Sequence, residues 1–174
     1  MLAERDVISQ GHGIRLQNYA KLMADKLQLT PQEKSELILL ASFHDIGKIG
    51  VSNTILFKPG MLTKKESREM RKHCEIGFRI ASTSPDLAHI ARYILHHHEW
   101  WNGQGYPLKL KGEKIPLLSR ILAIIDAYDA MTSDRPYRQG MTSQQALQII
   151  RNASGTQFDP NLVIKFAEYL ENSD

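Results

Sequence analysis

The sequence predicts an all-α protein, a single-domain bundle of about seven helices. Helix-start signals recur along the chain. Thr30-Pro31-Gln32-Glu33 places a proline at the first helical position and a glutamate that completes a capping box. Thr63 to Glu66 begins another helix in the same way. No segment alternates apolar and polar residues convincingly enough to predict a strand, and Ile49 to Val51 is too short to count as one.

The helix boundaries follow from these signals. The first helix is predicted from Gln10 to Leu27, where apolar residues recur along one face. The helix that begins at Thr30 is expected to end at Gly47. A helix from Ile115 to Met131 is too apolar for the surface, so we expect it at the centre of the bundle. Further helices are predicted to begin at Thr63, Ser84-Pro85, Thr142 and Asp159-Pro160.

Composition and charge exclude several classes of protein. The 174 residues suit one domain, 1–174, with a single core. No apolar run reaches the roughly 20 residues of a membrane helix, and Met1 to Gln10 is too charged for a signal peptide. The net charge is only +3, and the basic stretch from Lys64 to Lys72 is interrupted by glutamates, so polymeric nucleic acid is not an expected partner. The single Cys74 fits a reducing, cytoplasmic setting and is expected to pack near the core.

The most informative stretch is His96-His97-His98, which runs into a glycine-rich turn ending in Gly105-Tyr106-Pro107. Adjacent imidazoles at a helix end suit metal ligation better than core packing. Neighbouring helical residues project about 100° apart, so His44-Asp45 and His97-His98 can surround a shared point only near a helix end. There a carboxylate can bridge two cations, which lie roughly 3.5–4 Å apart in two-metal sites. The pattern therefore indicates a two-metal hydrolytic site.

The order and spacing of these motifs resemble the HD-GYP family, the bacterial metal-dependent phosphodiesterases that degrade cyclic di-GMP, within the HD phosphohydrolase superfamily. The resemblance extends from about Gly11 to Phe166. A lone His-Asp pair is weak evidence, but this many motifs in one order are specific. The matching motifs are Gly11-His12-x-x-Arg15, His44-Asp45-Ile46-Gly47-Lys48-Ile49-Gly50, Leu56-x-Lys58-Pro59-Gly60-x-Leu62-Thr63, His73-x-x-x-Gly77, His97-His98-Glu99 through Gly105-Tyr106-Pro107, Ile115-Pro116, Arg120-Ile121, Asp126-x-x-Asp129-Ala130, Arg135-Pro136-Tyr137-Arg138 and Phe158-Asp159-Pro160.

The resemblance implies an HD-type fold and an enzyme that opens cyclic di-GMP to pGpG, GMP or both by attack of a metal-bridging hydroxide. It also implies two divalent metal ions, with Fe or Mn favoured and Zn, Mg or Ni as alternatives. Asp45 would bridge the two ions, whereas His89 and His96 are expected to be structural or exposed. The ligands carried over are His12, His44, Asp45 and Asp126 for the first metal, and His73, His97 and His98 for the second.

Four further residues are candidates for substrate binding. Lys48, at the motif's lysine, is predicted to contact the scissile phosphate and, with Asp45, to act in catalysis; helix capping is the alternative. Arg135 and Arg138 match family positions that hold phosphate, and a guanidinium fork suits two phosphate oxygens at once. Tyr106 either stacks on a guanine or anchors its loop to the core.

The chain departs from the family in two respects. Some members use a glutamate one turn before the first histidine to help hold a third metal, but Ile8 stands there, so no third metal is expected. Family domains also usually follow a receiver, sensor or membrane segment, so we interpret the chain as either an excised domain or a stand-alone enzyme. In the family, the Gly105-Tyr106-Pro107 loop is implicated in contacts with GGDEF-type diguanylate cyclases, which are a candidate partner beside cyclic di-GMP.

Two other functions remain open. One is a signalling or adaptor domain that binds a diguanylate cyclase or the dinucleotide without turnover. The intact ligand set argues against it, because a scaffold has no chemical need for so many metal-ligating side chains. The other is an HD phosphohydrolase that acts on another nucleotide, such as a mixed cyclic dinucleotide or a mononucleotide. The Gly-Tyr-Pro segment and the arginine pair argue against that alternative.

Overall fold

The computed structural model describes residues 10–134 and 139–171, and within these ranges the chain is helical without a β-strand. Seven of its α-helices have eight residues or more, which confirms the predicted all-α bundle. Short 3-10 helices at Ile46–Gly50, Ala88–Ile90 and Gly112–Lys114 connect some of them. The α-helices of the described ranges are α1 (Gln10–Lys26), α2 (Pro31–Phe43), α3 (Asn53–Leu56), α4 (Lys64–Arg71), α5 (His73–Thr83), α6 (Ala91–His96), α7 (Leu117–Thr132), α8 (Ser143–Asn152) and α9 (Pro160–Glu171).

Helix α7 lies at the centre of the bundle, where it contacts α1, α2, α6, α8 and α9. Burying each of its large aliphatic side chains contributes roughly 1.5–3 kcal/mol to stability. The predicted central position of this segment is therefore confirmed. The fully or almost fully buried aliphatic side chains of α7 are Leu118, Ile121, Leu122, Ile124 and Ile125.

The capping signals place the helix starts as the sequence predicts. Thr30, Thr63 and Thr142 each accept a hydrogen bond from the backbone N–H three residues later, and each capping box is complete. Asp159 acts similarly before α9, because its carboxylate accepts from the backbone N–H of Asn161 at 2.9 Å. Local chemistry thus determines where four of the helices begin.

One predicted helix end is wrong, at Gly47. Helix α2 ends earlier, at Phe43, and Gly47 lies inside the 3-10 helix Ile46–Gly50. The glycine is needed there for close packing against α5, because a Cβ atom on Gly47 would lie 1.9 Å from the carbonyl oxygen of His73. The missing side chain brings the segment after His44-Asp45 directly against the start of α5.

One predicted helix start is also wrong, at Ser84-Pro85. The chain first makes hydrogen bonds of 3-10 spacing, from Leu87 N–H to the Ser84 carbonyl and from Ile90 N–H to the Leu87 carbonyl. Regular α-helix begins only at Ala91. Helix α6 is therefore short, and its last turn leads directly into the tripled histidine.

None of the helices in the described ranges combines the length and apolar character that a membrane crossing requires.

We expect Gly47→Ala to destabilise the metal-free protein by about 1–3 kcal/mol, because the new methyl group meets rigid backbone. Gly13→Ala is the matched control. A Cβ at Gly13 meets nothing within 4 Å, and alanine within a helix is favoured over glycine by about 0.8–1.0 kcal/mol. Urea unfolding in the presence of a chelator measures both variants. Equal stability of the two variants would contradict the close approach of Gly47 to α5.

Candidate metal centre

The predicted ligands come from different helices and meet near several helix ends. His12 lies in the first turn of α1, and His44 follows the last residue of α2. His73 is the first residue of α5, and His97 caps the end of α6. Asp126 projects from the central helix α7. Helix ends allow adjacent residues to face a common point, as the sequence predicts for both two-residue motifs.

Three of the histidines are fixed in one tautomer by backbone carbonyls. The Nδ1 atoms of His44, His73 and His97 each donate to the carbonyl three residues earlier, at 3.1, 2.7 and 2.6 Å. These carbonyls lie in the last turns of α2, α4 and α6, where regular intrahelical donors run out. A carbonyl can only accept, so Nδ1 carries the proton and Nε2 presents a lone pair in each neutral ring.

The first half-site consists of His12, His44 and Asp126. One ligand atom from each lies within 4.8 Å of the others. The Asp126 Oδ1 atom is 3.6 Å from His12 Nε2 and 4.0 Å from His44 Nε2. His44 is buried, whereas the side chains of His12 and Asp126 are 23% and 28% exposed, so this half opens towards solvent. Two imidazole nitrogens and a carboxylate suit a divalent transition metal.

The second half-site consists of His73, Cys74, His97 and His98. One ligand atom from each of these residues lies within 4.8 Å of the others. The Nε2 atoms of His73 and His97 lie only 3.2 Å apart. Because both Nδ1 atoms donate to carbonyls, two lone pairs face each other without a proton between them. Both rings are buried, at 2% and 3% exposure, so solvent does not relieve this contact. A cation between the two nitrogens would relieve it, which shows that these residues fit a metal ion.

Asp45 lies between the two half-sites. Its Oδ2 atom is 3.4 Å from His44 Nε2, and its Oδ1 atom is 3.6 Å from His73 Nε2. Each carboxylate oxygen therefore faces a different half-site, which is the arrangement that a bridging ligand requires.

The charges in the metal-free protein are complementary to this arrangement. Burial opposes ionisation of Asp45, but His44 and Lys48 hold its pKa well below the usual range, so Asp45 is anionic. Burial lowers the pKa of His98 to about 3 and that of His97 well below its ordinary value, with help from neighbouring imidazoles. Both rings are thus neutral, as metal ligands must be.

His44 behaves differently from the other buried imidazoles. Burial would lower its pKa, but the carboxylates of Asp45 and Asp126 together raise it to about 9. Without a metal, a proton on His44 therefore balances part of the negative charge of the two aspartates. A metal ion in the first half-site would take over this role and displace the proton.

Asp129 supports His12 from outside the ligand set. This aspartate is 1% exposed and accepts from His12 Nδ1 at 2.7 Å and from Arg15 Nε at 2.5 Å. Burial opposes its ionisation, yet His12 and Arg15 keep the pKa of Asp129 below its ordinary value. The carboxylate therefore turns Nε2 of His12 towards Asp126, as carboxylates commonly do for metal-binding histidines. The motif contained Asp129, but the sequence did not indicate this role.

Lys48 lies on the 3-10 helix and donates from Nζ to Asp45 Oδ2 at 2.5 Å. Its side chain is 19% exposed, at the rim of the centre. The lysine thus contacts the aspartate that faces both half-sites.

The loop containing Gly105-Tyr106-Pro107 is held against the second half-site. The buried carboxylate of Glu99 accepts from the backbone N–H groups of Leu108 and Leu110, at 2.7 and 3.1 Å. The Tyr106 ring lies 4.9 Å from the His98 ring, with an interplanar angle of 32°. The guanidinium of Arg71 lies 4.8 Å from the centre of the same tyrosine ring. These contacts favour loop anchoring as the role of Tyr106. The roles of Glu99 and Arg71 were missed from the sequence.

Some predicted residues lie apart from this centre or outside the described ranges. His89 is exposed, and His96 is buried beside Glu99 with an Nδ1–Oε1 distance of 3.8 Å. Neither His89 nor His96 therefore belongs to a half-site. Arg135, Arg138 and Ile8 fall outside the described residues.

We expect Asp129→Asn to weaken metal binding about 10–100-fold, because the neutral amide no longer holds His12 with a negative charge. Ser133→Ala is a suitable control, since Ser133 makes only a 3.3 Å hydrogen bond to the same carboxylate. Competition with a chromophoric chelator measures both affinities. Unchanged metal affinity in Asp129→Asn would remove Asp129 from the support of the first half-site.

Three similarities to known proteins agree with this geometry. The chain is 40% identical to a cyclic di-GMP phosphodiesterase of Thermotoga maritima and 40% identical to one of Vibrio cholerae. Each alignment covers 95% of this chain, but 46% and 37% of the relatives. A crystal structure of a cyclic GMP-AMP specific phosphodiesterase of V. cholerae superposes with a TM-score of 0.75 at 25% identity. That superposition covers 92% of this chain and 44% of the other.

The chain thus spans less than half the length of these relatives. The family profile of the HD domain matches residues 1–162, which is most of the sequence. The resemblance drawn from the motifs is confirmed, and the chain belongs to the HD domain family, among its HD-GYP members.

Proposed function

We propose that this protein is a metal-dependent phosphodiesterase that hydrolyses cyclic di-GMP to pGpG, GMP or both. The observation that carries the proposal is the position of Asp45, whose two carboxylate oxygens face two separate groups of histidines. The relatives named as cyclic di-GMP phosphodiesterases support the choice of substrate. The single cysteine supports a cytoplasmic location, and the organisms of these relatives support a bacterial one.

In this proposal two divalent cations, Fe or Mn by preference, are held by the predicted ligands. One cation would be held by His12, His44 and Asp126. The other would be held by His73, His97 and His98, and Asp45 would bind both. When bound, such a pair supplies Lewis acidity and water of lowered pKa at physiological pH. Two divalent cations carry more positive charge than Asp45 and Asp126 remove, so the loaded site would attract a phosphodiester anion. No third metal is proposed, because Ile8 cannot act as a ligand.

The residues at the rim of the centre would position the substrate. Lys48 has its ammonium at the edge of the site, where it would bind a phosphate oxygen and protonate the leaving oxygen. Arg135 and Arg138 would hold the second phosphate with their planar guanidinium groups. Tyr106 would shape the wall beside His98, since its ring lies against that imidazole.

A mixed cyclic dinucleotide is the second candidate substrate. It is favoured by the similarity to the V. cholerae phosphodiesterase described as specific for cyclic GMP-AMP. Turnover of equal concentrations of the two dinucleotides, alone and in competition, distinguishes them. The proposal expects a higher kcat/KM for cyclic di-GMP.

A diguanylate cyclase of the GGDEF type is the proposed protein partner. The Gly105-Tyr106-Pro107 loop would contact it, because Leu108, directly after this tripeptide, is 60% exposed while Glu99 fixes the loop from inside. A pure adaptor role would require this contact to persist without the metal centre. Pull-down of a cyclase by metal-free protein that lacks turnover would support that alternative.

We expect Asp45→Ala to lose both metal loading and turnover of cyclic di-GMP, because both half-sites lose the carboxylate that faces them. Asp86→Ala is the control, since Asp86 is an exposed aspartate outside the centre. Metal analysis and chromatography of the products on the same samples check the two effects. Turnover retained by Asp45→Ala would refute the proposed mechanism.

We expect Lys48→Gln to keep its metal while kcat falls about 10²–10⁴-fold, the range for loss of a general acid. Lys165→Gln, which removes an exposed lysine on α9, should change neither quantity. Steady-state kinetics with parallel metal analysis separates the predicted role of Lys48 from helix capping. A folded, metal-loaded Lys48→Gln enzyme with normal kcat would favour capping.

A further inference from the structure

Cys74 lies inside the second half-site. It is the only cysteine in the chain, and it is fully buried at the start of α5, directly after His73. Its Sγ atom is 3.6 Å from His73 Nε2 and within 4.8 Å of the ligand atoms of His97 and His98. The sequence predicted only core packing for this residue, because sequence spacing does not reveal that its sulfur faces the histidines.

The neighbouring imidazoles present ring nitrogens close to this sulfur. His73 and His97 both donate from Nδ1 to carbonyls, so their buried Nε2 lone pairs face each other at 3.2 Å. Neither nitrogen can donate to the other in the neutral state. A thiol next to these lone pairs therefore completes a set of donors that point inwards.

Two of the distances agree with the spacing of neighbouring ligands on one metal ion. With metal–nitrogen bonds of about 2.0–2.1 Å and a metal–sulfur bond of about 2.3 Å, angles of about 90–109° between neighbouring ligands give N···N distances of about 2.9–3.3 Å and N···S distances of about 3.1–3.6 Å, and they leave a position for Asp45. The observed distances are 3.2 Å between His73 and His97 and 3.6 Å between His73 and Cys74. The backbone anchors of the two histidines hold their Nε2 atoms at this separation without a metal.

We propose that Cys74 is a direct thiolate ligand of the metal in the second half-site, together with His73, His97 and His98. The inference rests on the metal centre of the proposed function, but not on its substrate. As the metal binds, the S–H bond breaks, the proton leaves to solvent and the sulfur lone pair forms the metal–sulfur bond. Sulfur ligation would select iron or zinc over manganese and magnesium in this half-site, since the latter two prefer oxygen ligands.

Cobalt(II) is a suitable probe, because a thiolate bound to it gives a near-ultraviolet charge-transfer band that imidazole and carboxylate ligands do not give. The metal-free protein is titrated anaerobically with cobalt(II), its cobalt content is measured, and cyclic di-GMP turnover is assayed on the same sample. We expect a charge-transfer band in the original protein. Any such band belongs to Cys74, because the chain has no other cysteine.

Cys74→Ser is the matched variant, since it keeps the size of the side chain within the buried site. We expect it to lose the band and to bind cobalt(II) at one of the two positions at least about 10-fold more weakly. Cys74→Ala provides a second variant with no ligand atom, and circular dichroism checks that both fold. A band that survives in the folded serine and alanine variants would overturn the proposal.

The outcomes separate this inference from the proposed function. Bound cobalt without a charge-transfer band overturns the role of Cys74, and turnover in that sample would leave the phosphodiesterase intact. A band that depends on Cys74 without turnover of cyclic di-GMP supports the ligand and refutes the substrate. Failure of the folded protein to bind cobalt overturns the inference and the metal centre together.

Discussion

The hydrogen bonds from buried imidazoles to helix-end carbonyls are the constraint on which the rest of this structure depends. His44, His73 and His97 each donate from Nδ1 to a carbonyl three residues earlier. Since the Nδ1 proton is held in this way, every Nε2 atom points into one buried space, where the lone pairs of His73 and His97 face each other. The protein therefore maintains an electrostatically costly arrangement that a cation relieves. Metal affinity and folding are linked through these three contacts.

The arrangement of the helices places these histidines close together by bringing helix ends near one another. The central helix α7 contributes Asp126 and the supporting Asp129, while α2, α5 and α6 direct their ends at it. Gly47 and Gly77 allow the 3-10 helix after Asp45 to contact the backbone of α5. The apolar core thus sets the distances between donors, which come from helix ends except for Asp126 in the middle of α7.

Much of this was predictable because local chemistry determines it. The capping boxes at Thr30, Thr63 and Thr142 specify helix starts through contacts within a few residues. The family motifs identified residues that converge in space. The spacing did not reveal contacts between distant segments, such as Asp129 with His12 or Glu99 with the backbone of Leu108.

Two errors and one omission also have a physical origin. Gly47 was interpreted as a helix stop, whereas close packing against His73 requires it. Helix α6 begins later than Ser84-Pro85 indicated, because bonds of 3-10 spacing precede it. Cys74 is buried, as predicted, but its place in the sequence did not show that its sulfur lies 3.6 Å from Nε2 of His73.

Stepwise return of metal to the stripped protein tests the central claim most directly. Chelator-treated protein is titrated with Fe(II) under anaerobic conditions, and hydrolysis of cyclic di-GMP is followed at each addition. The proposed two-metal centre predicts no hydrolysis at the start and a plateau at two equivalents of metal per chain. Hydrolysis by the fully stripped protein, or no hydrolysis once two equivalents are bound, would contradict it.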